Sequence, residues 1–148
     1  MAALAADIAV VFDPRFPIGL MQRPCTATDI FYRGGIASEL DAGTAITLTP
    51  VDADWFGGVV MEHKSATAAD MIWIAPSGHF FFTCSNFSAA NYNLGFAIQA
   101  TDLFDNPATL DVLGAADIGC VGILMAGGGT AGTNGWLNLD QKVAAAIA

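Results

Sequence analysis

Short apolar runs separated by turn-forming residues recur about every ten positions from residue 29 onward. That spacing predicts short strands rather than helices, in a barrel or sandwich. The strands fall at Ile30–Arg33, Thr44–Thr49, Gly57–Glu62, Asp70–Ala75, His79–Cys84, Gly95–Ala100, Thr109–Val112, Gly119–Met125 and Gly135–Leu139. Between them lie Gly34-Gly35, Asp41-Ala42-Gly43, Ser65–Ala69, Pro76-Ser77-Gly78, Asp105-Asn106-Pro107 and Gly127–Asn134. Pro76-Ser77-Gly78, set between two aromatic-rich runs, predicts a hairpin. Only Asp52–Phe56, Phe87–Tyr92 and Gln141–Ile147 suit short helices. The fold class is therefore all-β with little helix.

Residues 1–28 follow a different rule. Pro14, Pro17 and Pro24 fall within eleven residues. Each fixes φ, removes a donor and biases the residue before it toward extended geometry. The segment reads as an extended arm before a single domain at 29–148. Phe12, Phe16, Ile18 and Leu20 are its apolar anchors, so it should lie on a surface, its own domain's or a neighbour's.

The body also echoes itself. Phe56-Gly57-Gly58-Val59-Val60-Met61, then Thr67-Ala68, then Trp73-Ile74 resembles Ile118-Gly119-Cys120-Val121-Gly122-Ile123, then Thr130-Ala131, then Trp136-Leu137. A strand entered through glycine, a polar loop and a return strand carrying Trp would form each unit. A pseudo-repeated hairpin pair closing one barrel is the simple expectation.

Composition changes the picture in one respect. The chain is 54% hydrophobic and 13% charged, about half the usual charged share. So little charge leaves apolar surface that a partner is expected to cover. The net charge of −9 is unevenly spread. Arg15, Arg23 and Arg33 balance Asp7, Asp13 and Asp29 within residues 1–33, and the rest of the chain carries the whole excess. An acidic body without a Lys/Arg cluster argues against nucleic acid, whose binding requires phosphate neutralisation. The uncharged stretches Phe80–Thr101 and Ile118–Leu139 are rich in Gly, Asn, Ser or Thr, so no membrane partner is expected. Met1–Val11 lacks the basic start of a secretory signal. Cys25, Cys84 and Cys120 have no metal-site or redox spacing and read as reduced, packed thiols.

Catalytic chemistry finds little support. His63 with Glu62 and Asp70 offers metal-ligand types across a hairpin, but reads more simply as a loop-edge imidazole beside solvated acids. His79 and Cys84 are five residues apart, on opposite faces of one strand, which excludes a nucleophile–base pair. Cys84 with His63 stays geometrically open but unmarked. Asp52 with Asp54, and Asp102 with Asp105, sit at turns where Asp caps its own backbone. The run Gly127-Gly128-Gly129-Thr130-Ala131-Gly132 has no Lys and opens no helix, so it reads as a mobile hairpin tip rather than a phosphate loop. No enzyme and no cofactor are expected.

The order of features across residues 29–142 resembles the capsid decoration (cement) proteins of tailed bacteriophages. The resemblance rests on Tyr32-Arg33-Gly34-Gly35, the Asp41-Ala42-Gly43 turn, Phe56-Gly57-Gly58-Val59-Val60 and Ser77-Gly78-His79-Phe80. A Gly95-centred strand, Ile118-Gly119-Cys120-Val121-Gly122 and Trp136-Leu137-Asn138-Leu139 complete it. It implies a β-barrel or β-tulip-like module without an active site. Such a module is made in the host cytoplasm and sits on the outer surface of the virion shell. There it clamps adjacent copies of the major capsid protein, as a homotrimer. Phe12, Pro14, Arg15, Phe16, Ile18 and Arg23 are then the expected interface, with Arg15 and Arg23 pairing to carboxylates on the shell or on a neighbouring copy. The Pro-rich arm and the long Gly-rich loop depart from shorter relatives. Competing readings are a carbohydrate- or host-surface-binding module using Trp55, Trp73, Trp136 and Tyr92, or another virion part such as a tail or connector component.

Overall fold

A computed structural model describes residues 4–40, 42–49, 55–83, 97–99, 111–112, 120–127 and 134–140; at 55, 83, 97–99, 111–112, 120–127 and 134 it gives the strand path alone. These residues are all-β, without helix. The strands are β1 (Val11–Phe12), β2 (Gly19–Pro24), β3 (Asp29–Phe31), β4 (Ile36–Glu39), β5 (Ile46–Thr47), β6 (Trp55–Val60) and β7 (Lys64–Ala66). They continue as β8 (Met71–Ser77), β9 (His79–Thr83), β10 (Ala97–Gln99), β11 (Asp111–Val112), β12 (Cys120–Gly127) and β13 (Asn134–Asn138). Trp55 and Phe56 are strand, not the end of a helix. The other proposed helical stretches, 87–92 and 141–147, lie outside the described residues, as do residues 128–133 of the glycine run.

Two antiparallel sheets carry the fold. One has six strands in the order β1-β9-β13-β12-β10-β11, the other five in the order β2-β8-β6-β4-β5, and β3 with β7 forms a separate ribbon. Among the described strands neither sheet closes into a barrel. The two halves of the internal echo fall on different sheets, β6 beside β8 and β12 beside β13, so they do not close one barrel together.

The expected hairpin at Pro76-Ser77-Gly78 is not a hairpin. β8 pairs with β2 and β6, whereas β9 pairs with β1 and β13. The chain passes from one sheet to the other at Gly78, whose φ of +125° suits only a residue without Cβ. The Gly78 N–H donates to Asp140 Oδ1 at 2.8 Å, which satisfies the corner's backbone. A turn signal between two apolar runs thus marks a sheet-to-sheet corner, because each run has a stronger pairing elsewhere.

Period-two burial then builds two cores. Ile36, Phe56, Val59 and Ala75 of the five-stranded sheet meet Phe80, Phe82 and Leu137 of the six-stranded sheet, with Leu139 beside them. On the other face of the five-stranded sheet, Ala37, Ile46, Val60, Ile72 and Ile74 pack with Phe31 and Ala66 of the ribbon and with Cys25. That sheet curls around its second core far enough for Cys25 to form a single bridge with Ile46 of β5, the strand at its opposite edge. The Cys25 S–H donates to the Thr67 carbonyl at 3.1 Å.

Candidate docking site

The N-terminal arm is built into the body through both sheets. β1 is the edge of the six-stranded sheet, with Val11 opposite Phe81 and Phe12 opposite Phe80. β2 is the edge of the five-stranded sheet, running from Gly19 opposite Ser77 to Pro24 opposite Met71. The three prolines stand between, or at the end of, these two strands, where no ladder bond needs their missing N–H.

Asp13-Pro14-Arg15-Phe16 crosses from one sheet edge to the other as a turn, the Phe16 N–H donating to the Asp13 carbonyl at 3.1 Å. Pro14 follows Asp13 at the position where its fixed φ favours such a turn. The Asp13 carboxylate accepts from the Arg15 N–H at 3.0 Å and from Nε at 3.0 Å, while its second oxygen accepts from Nη2 at 2.7 Å. The Arg15 side chain, with its N–H, holds the Asp13 carboxyl down to about 2. Arg15 is still 80% exposed, and its guanidinium lies 5.9 Å from the Phe16 ring centre. Phe16 stacks flat on His79, centroids 3.7 Å apart, and Phe12 stands 6.4 Å from Phe80. The result is an exposed apex of Pro14, Arg15 and Phe16, with Phe12 beside it on β1, cross-strand from Phe80.

Of the six interface residues expected from the sequence, Pro14, Arg15 and Phe16 lie on this apex, and Phe12 adjoins it on β1 against Phe80. Ile18 does not, being half-buried against the core between the sheets. Arg23 lies at the far end of β2, half-buried, bonded to both Glu39 oxygens and donating to the Gly43 carbonyl at 2.8 Å. Both guanidiniums expected to seek external carboxylates therefore have carboxylate partners within the chain.

The sequence did not disclose a second anchor of the arm. Asp7 Oδ1 accepts from the Arg33 N–H at 2.9 Å and lies 2.9 Å from His63 Nδ1, while the Ile8 N–H donates to the Arg33 carbonyl. Burial pushes the Asp7 carboxyl up, but the Arg33 N–H and the His63 ring outweigh it and leave it lowered. A contact across fifty-six residues has no local signature. His63, Glu62 and Asp70 do not converge on a metal position: Glu62 accepts from the Trp73 N–H and Asp70 from the Thr67 N–H.

The aromatics of the sugar-binding reading are dispersed. Trp73 is exposed on the five-stranded sheet, while Trp136 lies on the six-stranded sheet against Phe81 with the rings 59° apart. Tyr92 and the Trp55 side chain lie outside the described residues.

No protein-family model matches the chain, and no curated protein matches it in sequence. The functional reading therefore rests on the apex and on the order of sequence features.

Acid should loosen the apex and the anchor. Asp7, Asp13 and Asp70 have folded values below the ordinary 3.8, so their stabilisation is present above that value and is lost as pH falls through the lowered ones. The urea midpoint is expected to fall between pH 5 and about 2, and Asp13→Asn should lessen that fall. An unchanged slope in the variant would show that the Asp13–Arg15 pair contributes nothing, as many exposed pairs do not.

Proposed function

We propose that this chain is a structural capsid decoration protein: it binds the outer surface of a phage head and clamps adjacent major capsid subunits. The observation that carries the reading is the exposed apex Pro14-Arg15-Phe16 with Phe12 beside it, braced by an edge strand of each sheet. Aromatic rings and an arginine on a hydrogen-bonded turn are the residue types that anchor protein interfaces, and a preformed turn limits the ordering cost of docking. The charge distribution supports it, since a neutral arm suits docking across a subunit boundary and an acidic body suits exposure to solvent. Many copies of such a clamp act together although each buries modest area. In finer detail we read the fold as a sandwich-like relative of the β-tulip modules, assembling as a homotrimer on the shell.

Deleting residues 1–20 is a poor test, because it also removes β1 and the start of β2. The better test is Phe16→Ala with Arg15→Glu, measured by co-sedimentation with undecorated heads. Retention is expected to fall about tenfold or more, the scale of losing one hot-spot side chain, with the circular dichroism unchanged. Undiminished retention would place the shell contact elsewhere.

A further inference from the structure

We infer that the two histidines are proton-operated clamps on the N-terminal arm, fastening residues 7–16 to the body as pH falls from about 7.5 to about 5.5. Histidine is the side chain whose ordinary charge change falls in that range. The chain has two of them, and each lies against one end of this segment. Between the clamps the arm is lightly held. β1 offers two residue pairs to β9, and Val11 and Phe12 are 43% and 42% exposed. Val10 packs on the core between the sheets. A segment with few buried apolar contacts opens at small cost. A contact too weak to matter for the whole fold therefore governs whether this segment stays closed.

At the first clamp His63 Nδ1 lies 2.9 Å from Asp7 Oδ1, and the Tyr32 ring stands edge-on to the imidazole, centroids 5.2 Å apart. A neutral imidazole is able to donate this bond. A second proton on the ring puts opposite charges on the two partners, and hydrogen bonds between charged groups are roughly twice as strong as neutral ones. Other charges surround the site but are engaged elsewhere. Arg33 acts on the same carboxylate and opposes a new cation, Glu62 is bound to the Trp73 N–H, and Lys64 to the Met71 carbonyl.

At the second clamp the His79 ring lies flat on Phe16, centroids 3.7 Å and planes 1° apart, and the His79 carbonyl accepts from the Asp13 N–H at 3.0 Å. A charged imidazole is drawn to the negative face of the phenyl ring and to the Asp13 carboxylate. Arg15, bonded to that carboxylate, opposes it. Asn138, opposite on β13, is neutral, and Asp140 accepts from the Gly78 N–H. Both arm carboxylates stay ionised throughout the range, since Asp7 is held below its ordinary value and Asp13 down to about 2. Falling pH thus adds a cation beside each standing anion, until the carboxylates themselves are neutralised below about pH 4.

This deepens the docking reading by naming what steadies the apex, and it rests on that reading only for its purpose. Amide hydrogen exchange of the free full chain, corrected for the intrinsic pH dependence of exchange, reads the clamps. Protection of the Ile8 and Asp13 N–H groups, which donate to the Arg33 and His79 carbonyls, should be about two- to fivefold greater at about pH 5.5 than at about 7.5, the scale of an exposed ion pair. His63→Asn keeps a donor for Asp7, and His79→Phe keeps a flat ring for Phe16. Each should lessen the rise, and the two together should abolish it. No rise in the unmodified chain, or a rise that survives in the double variant, would overturn the proposal. A second measurement needs no variant: in nuclear magnetic resonance the Ile8 and Asp13 amide shifts should titrate with the ring protons of His63 and His79. Arm amides that ignore both rings would equally overturn it. Neither measurement involves heads, so failure of the clamps and failure of shell binding remain distinct.

Discussion

Phe80→Ala is expected to remove about 3–5 kcal/mol of unfolding free energy, the usual loss for truncating a buried phenylalanine. Phe80 is 1% exposed and sits on β9 between β1 and β13. Its ring faces the core shared by the two sheets, 6.3 Å from Phe82, with Ile36, Val59 and Leu137 in the same cluster. Backbone ladders on both sides of β9 prevent collapse into the cavity, which places the cost toward the upper end. Phe81, one residue on, projects to the other face, half-buried beside Trp136. Phe81→Ala should cost only about 1 kcal/mol beyond its smaller lost area. Urea unfolding of the two variants compares them directly. Equal losses would mean that the two sheets do not share the core described above.

That contrast was half legible in the sequence. Three consecutive phenylalanines, Phe80-Phe81-Phe82, necessarily put aromatics on both faces of a strand, but alternation alone does not say which face is the core. The alternation that places β6, β8, β9, β12 and β13 is a local property, and those strands fall close to their expected positions. β2 has no such pattern, because an edge strand exposed on both faces carries no burial period to read. Its prolines indicated an extended arm without showing which strand it pairs with, and they flank the ladder rather than interrupt it. β4 was hidden behind Gly34-Gly35, and β7 inside a stretch rich in turn residues. Their assignment depends on partners that lie far away in sequence.

The candidate site divides along the same line. Clustering of Phe12, Pro14, Arg15 and Phe16 is a short-range consequence of a proline turn, and the sequence places all four together. The fates of Ile18 and Arg23 are decided by Glu39, by the Gly43 carbonyl and by the inter-sheet core, none of which is adjacent. Arg15 could have been assigned to Asp13 from their spacing of two, since an Asp that opens a turn takes the N–H two residues on.

The second large effect concerns Gly57-Gly58, the pair that marked this strand in the sequence. β4 shifts register against β6 between Ala37 and Ser38, leaving Gly57 without an opposite residue between Phe56 and Gly58. Such a bulge bends a strand and increases its twist. The bend allows the five-stranded sheet to curl until Cys25 reaches Ile46 and the second core is enclosed. Close approach of the neighbouring strands comes with it. A Cβ on Gly58 would stand 2.9 Å from both the carbonyl carbon and oxygen of Ala75, and one on Gly57 would stand 2.9 Å from the Ala37 oxygen. These obstacles are backbone atoms in paired strands, which cannot rotate aside as a side chain can. Gly58→Val is therefore expected to cost about 3 kcal/mol or more, at or above the usual range for overpacking, and Gly58→Ala less. Gly43 supplies the comparison. Its φ of +67° disfavours any side chain, but nothing lies within 4 Å of a Cβ there, so Gly43→Ala should cost only about 1–2 kcal/mol from backbone strain. Thermal and urea unfolding of the three variants test the ordering. A Gly58→Val loss no greater than that of Gly43→Ala would mean that β6 can part from β8 freely, and the curl of the sheet would need another cause.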